Sequence, residues 1–263
     1  MKIIVGQFKL LTKICMALSL VLLCLPMIAL NASAGSITIS PTVGPAGGYL
    51  ALSLFGISPI AGVGDDTITN FIVPSFNYAG ESWNRIGVGS DGYLIVAGAA
   101  SALPSTNTML PNAGLSPKNI LAPFWTNLDL STDGAIRIGA LTNGTDSWIV
   151  TDWAGVPNKT DTSIKNTFEV WIGLNSDINP GEDIIFSYDS IGSGDNNLLT
   201  IGAEDKTGAV GATYYYNGTG INPGSESELR VATDGLPVPE PATMLLLGSG
   251  LLGLWGARKK FKK

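Results

Sequence analysis

The chain has 263 residues, 45% of them hydrophobic and 14% charged, with a formal net charge of −6, two cysteines and no histidine. The missing histidine excludes Ser-His-Asp and Cys-His nucleophile pairs, histidine general bases and His-containing zinc sites together. Both cysteines, Cys15 and Cys24, lie in the first 34 residues, so the body beyond them has neither a disulfide nor thiolate chemistry.

Residues 1–34 read as a secretory signal peptide. Lys2, Lys9 and Lys13 form the charged lead, Ile14 to Leu25 the apolar helix, and Ala32-Ser33-Ala34 the small-x-small cleavage site. Ala32 and Ala34 are its two small residues, and Gly35 is the expected mature start. Between Gly35 and Val238, seven Lys and Arg face twenty Asp and Glu, a net charge of −13. So acidic a body repels nucleic acid and anionic membrane surfaces, and no nucleic-acid partner is expected.

Residues 35–235 are long enough for one large β domain with a single core. Ser36 to Ser40 alternates and suits a first strand, Pro41 to Gly48 is a Pro/Gly connector, and Leu50 to Phe55 is short and apolar. Ile57 to Asp66 reads as a loop and Ile68 to Tyr78 as a strand around Pro74. Arg85 to Gly89 and Tyr93 to Val96 flank Ser90-Asp91-Gly92, a hairpin signal with glycine at the positive-φ position. Ala97 to Pro117, rich in small residues, Asn and Pro, is expected to be a long surface loop.

Further strands are predicted at 135–141, 147–153, 166–174, 183–191, 198–203, 213–217 and 228–232, with turn residues between them. Alternation sets Ile136, Ile138 and Ala140 against Arg137, and Phe168, Val170 and Ile172 against Glu169. The short connections require antiparallel pairing. The expected fold is all-β, an antiparallel β-sandwich flanked by an N-terminal signal helix and a C-terminal hydrophobic helix.

Ile120-Leu121-Ala122-Pro123-Phe124-Trp125, with Asp129 behind it, resembles the opening of nidogen-like (NIDO) extracellular domains. Trp148 to Val156, Asn166 to Val170, Ile185 to Tyr188 and Thr200 to Ala203 follow in that family's order, so the resemblance covers roughly residues 76–216. Glu169 departs from it by standing where a glutamine is usual. The resemblance implies an accessory domain without catalytic residues.

Four kinds of candidate site remain. Asn175, Asp177, Asn179 and Asp183, and separately Asp129 with Asp133, offer oxygen ligands in loops of the kind calcium takes. Trp153 and Trp171 fall opposite the core residues of their strands by alternation and are candidates for stacking on sugar. Asp152, between Trp148 and Trp153, is the first carboxylate to test for glycoside hydrolysis. Asn143, Asn158 and Asn217 fit the glycosylation acceptor pattern, which Asx-rich β turns also produce. No cofactor is required by any of these patterns, with calcium the cation to consider.

Residues 236–263 are expected to be a sorting and membrane segment. It comprises Pro239-Glu240-Pro241, an apolar helix over 242–257 and a basic tail over 258–263. Sixteen apolar positions are short against the roughly 20 a helix needs to span a bilayer, while the terminal cations hold that end on the cytoplasmic side. The segment resembles the PEP-CTERM sorting signal of exported bacterial proteins. That resemblance implies processing by an exosortase near Pro239, Glu240 and Pro241, and transient or permanent anchoring in the inner membrane. The function it implies is a non-enzymatic cell-surface or extracellular-matrix protein, an adhesion module whose partner is extracellular polysaccharide or matrix protein. A carboxylate-dependent polysaccharide hydrolase is the alternative.

Overall fold

The computed structural model describes residues 36–174 and 184–234. The signal segment with Ala32 and Ala34, the sorting segment with Pro239, Glu240 and Pro241, and the expected helices of both lie outside the described residues. So do Asn175, Asp177, Asn179 and Asp183.

In chain order the described strands are β1 (Ser36–Pro41), β2 (Ile68–Tyr78), β3 (Glu81–Gly89), β4 (Tyr93–Val96), β5 (Ile120–Trp125), β6 (Ala135–Thr142) and β7 (Ser147–Pro157). They continue with β8 (Lys165–Gly173), β9 (Ile184–Ser190), β10 (Thr200–Glu204), β11 (Gly211–Tyr216), β12 (Thr219–Gly220) and β13 (Ser227–Asp234). Among the described residues one 3₁₀ turn, Leu52–Phe55, interrupts the β structure, and no helix is long and apolar enough to cross a membrane.

The strands form two antiparallel sheets, ordered β1-β13-β9-β8-β7-β6 and β12-β11-β10-β5-β4-β3-β2. β1 reaches the last strand, β13, in a register that sets Ser36 opposite Asp234 and Pro41 opposite Leu229. The predicted hairpin closes as expected: Gly92 has φ +78, and a Cβ there would meet the Phe124 carbonyl oxygen at 2.1 Å. Glycine at this turn therefore answers both a backbone angle and a close approach.

The main core lies between the sheets. Ile86, Val88, Leu94, Leu121 and Phe124 come from one side, and Ile149, Trp153, Phe168, Val170, Phe186 and Val231 from the other. Trp153 stacks on Phe168 with ring centroids 5.1 Å apart, and its Nε1 donates to the Gly89 carbonyl of the opposite sheet at 3.1 Å. The Tyr188 hydroxyl also crosses the sandwich, donating to the Pro123 carbonyl at 2.8 Å. A buried polar atom on an aromatic side chain needs such a partner, and both bonds fix one sheet against the other.

Both outer faces are partly covered as well, which corrects one expectation. The 97–117 segment lacks strands, as predicted, but it is not purely a surface loop. Its Leu103 and Leu110 are buried against Tyr93, Ile95, Ile120 and Trp125 on the outer face of the second sheet. The Tyr93 hydroxyl, Thr213 Oγ1 and the Glu204 carboxyl accept the loop's Leu103, Leu110 and Asn112 N–H groups. On the first sheet, residues 42–57 form a strap over the outer face. Leu52, fully buried, packs there with Trp148, Val150, Trp171 and Ile185.

Candidate functional site

Beneath that strap the antiparallel register aligns one residue from each of five neighbouring strands. Arg137 lies opposite Asp152, Asp152 opposite Glu169, Glu169 opposite Ser187 and Ser187 opposite Glu228. All five occupy outward positions, since the adjacent Trp153, Phe168 and Phe186 fill the main core. The row therefore holds three carboxyl groups in a sheet interior, where polar groups need partners.

The strap supplies many of them. Gly44 N–H donates to Glu228 Oε2 at 2.6 Å, Leu50 N–H to Glu169 Oε1 at 2.9 Å and Leu52 N–H to Asp152 Oδ2 at 3.3 Å. The Tyr49 hydroxyl donates to Asp152 Oδ1 at 2.9 Å. Within the sheet, Ser187 donates to Glu228 Oε1 and Trp171 Nε1 to Glu169 Oε1, each at 2.7 Å. Arg137 Nη1 stands 3.8 Å from Asp152 Oδ2, too long for a strong ion pair. The acids thus bind backbone, holding an irregular segment to a flat face.

Burial dominates the electrostatics of the row. It pushes the Glu169 carboxyl up to about 8, against the lowering influence of the Trp171 and Leu50 donors and with the charges of Asp152 and Glu228 adding to the rise. Asp152 is raised too, by burial against the opposing effect of Tyr49, Leu52 and Arg137. Glu169 is consequently a neutral acid at pH 7, with Oε2 buried and unpaired. Two buried acids side by side, both raised by burial, are an arrangement capable of acid–base chemistry. Here, however, both side chains are fully enclosed, and Asp152 Oδ1, Asp152 Oδ2 and Glu169 Oε1 are bonded to the strap.

A second acidic group surrounds Lys159, whose Nζ lies 2.6 Å from Asp65 Oδ2 and 2.8 Å from Asp129 Oδ2. Hydrogen bonds from Lys159 and Ser131 hold the Asp129 carboxyl down at about 2. Asp91, in the β3–β4 turn, is fully buried and accepts from Leu128 N–H at 2.9 Å. Its carboxyl is pushed up to about 8 by burial, with Asp66 and Asp65 nearby.

These placements correct several expectations. Asp129 and Asp133 do not converge: Asp129 binds Lys159, whereas Asp133 pairs with Lys165 at the surface. Among the described residues no group of three acidic, His or Cys side chains is arranged to hold a metal. Trp153 is fully buried in the main core and Trp171 is buried beneath the strap, edge-on to Trp148 at 5.8 Å. Neither is an exposed platform for sugar. Register puts Trp153 opposite Phe168 on the core face, and the strap covers the face that Trp171 occupies. Of the three acceptor-pattern asparagines, Asn158 is buried and bonded to Asn166, Asn217 is tied to Asn107 and Leu199, and Asn143 stands exposed in its turn.

Sequence reasoning singled out Asp152 but missed its neighbours Tyr49, Arg137 and Glu228. A signal existed in the outward acids of Val150-Thr151-Asp152-Trp153 and Phe168-Glu169-Val170, charges embedded in runs too apolar for a solvated face.

Comparison with known families places most of this chain. Residues 48–235 match the family described as NIDO related, and residues 237–260 match the PEP-CTERM protein-sorting motif. No curated protein and no solved structure matches the chain.

Proposed function

From the premise that the chain belongs to the NIDO-related family and carries a PEP-CTERM protein-sorting motif, which make it an exported surface protein and a substrate of an exosortase, we propose a non-enzymatic adhesion module. It binds extracellular polysaccharide or matrix protein at the cell surface, and its 242–257 segment anchors it in the inner membrane until processing near Pro239-Glu240-Pro241. The observation that carries this reading is the contrast between the two sides of the strap. Its inner side engages the acids of the row, while its outer side presents Leu54 and Phe55 to solvent, 75% and 52% exposed. Large apolar side chains displayed beside buried acids suit contact with a partner surface better than turnover of a substrate.

A pull-down of purified exopolysaccharide and of envelope matrix proteins by the 35–235 domain tests it. Capture by the wild type that falls severalfold in a Leu54→Ser, Phe55→Ser double variant supports the reading. Absence of capture, with polysaccharide cleavage that Asp152→Asn abolishes, would replace it with the hydrolase.

A further inference from the structure

The first and last described strands pair with one another, and this gives the domain a definite membrane end. Ser36 lies opposite Asp234. In the same sheet, Ile184 lies opposite Val231 and Ile172, Gly173 lies opposite Trp148, and Thr142 lies opposite Ser147. The turn 143–146 between β6 and β7 is thus at the same end of the sheet as Asp234. At the other end are the Pro41–Leu229 pair, the start of β13 at Ser227 and the 158–164 turn between Pro157 and Lys165.

Chain length fixes the consequence. Seven residues, 235–241, separate Asp234 from the 242–257 segment, and at full extension these eight steps reach at most about 29 Å. β7 has eleven residues, so the sheet is about 33 Å long. The tether is shorter than the domain. A side-on posture would lay a body of net charge −13 along an anionic surface that repels it.

We infer that the Ser36–Asp234 end of the first sheet, with the 143–146 turn, faces the lipid bilayer before processing, and that the 158–164 end points away from it. The exposed Val43, in the loop just after β1, then faces outward on the unprocessed chain. This rests on the reading of the 242–257 segment as a membrane anchor. It goes beyond that reading by assigning an orientation to the folded domain.

The signal-processed chain with its tail intact has no native cysteine, so single labels are clean. Thr145→Cys and Thr162→Cys, both at exposed turn positions, carry a fluorophore on protein reconstituted in phosphatidylethanolamine–phosphatidylglycerol vesicles containing a headgroup quencher. Circular dichroism confirms that each variant retains its β fold. The expected result is severalfold stronger quenching at position 145 than at 162, with both signals relieved when the chain is truncated after Asp234. Equal quenching, or stronger quenching at 162, overturns the orientation alone. Failure of the chain to float with the vesicles overturns the anchor reading and the orientation with it.

Discussion

Trp153 shows how much one register position decides. It stacks on Phe168, donates across the sandwich to Gly89 and has no exposed surface. Truncating it removes a large core side chain and leaves the Gly89 carbonyl without its partner. Trp153→Ala should therefore cost about 3–5 kcal/mol of stability, read as a shift in the denaturant midpoint. Any loss of ligand binding in that variant should track the unfolded fraction and disappear under conditions where the variant is fully folded. Direct sugar stacking would instead weaken binding in the folded protein.

At the level of the element, the strap is an irregular segment held by a few identifiable groups. Leu52 fills the space between Trp148, Val150, Trp171 and Ile185, while the N–H groups of Gly44, Leu50 and Leu52 reach the row of acids. Leu52→Ala should cost about 2–5 kcal/mol of local stability. Because the strap lies outside the main core, that loss should appear as regional opening. Hydrogen exchange should accelerate at the Leu50 and Leu52 amides and proteolysis should rise within 42–57, with β7 and β8 amides still protected. Uniform loss of protection across both sheets would show instead that the strap and the sandwich unfold as one unit.

For the molecule as a whole, the buried acids set the pH dependence. Glu169 and Asp91 are each raised to about 8 and Glu204 to about 7, in every case chiefly by burial. The folded state therefore holds protons that the unfolded chain releases at the ordinary carboxylate values of 4.5 and 3.8. By linkage, stability is highest where these groups are protonated in both states, falls as pH rises from about 4 to 8, and levels off above. Asp129, lowered to about 2, acts oppositely: its contribution is present above 3.8 and is lost as pH falls towards 2. Thermal melts should thus show a maximum near pH 4–5 and a decline towards pH 8. Glu169→Gln, which cannot ionise, should flatten that decline and melt above the wild type at pH 8.5. An unchanged slope in the variant would remove Glu169 as a contributor.

Local chemistry alone determined a good deal about this protein. Period-2 alternation, the Asp91-Gly92 turn and short Asx-rich connections specify antiparallel strands, because each reflects the backbone of a few adjacent residues. The Pro239-Glu240-Pro241 segment, read linearly, identified the sorting motif in the same way. Alternation also separated Glu169 from Phe168 and Val170. What it left undetermined is what covers an outward face. Whether Asp152, Glu169 and Trp171 meet water depends on a strap more than 90 residues earlier in the chain, and whether Leu103 and Leu110 are buried depends on the outer face of the other sheet. The pairing of Ser36 with Asp234, from opposite ends of the described chain, is equally invisible locally. Such contacts are chosen by the packing of the whole sandwich, which decides which carboxyl groups lose their water and which end of the domain carries both of its termini.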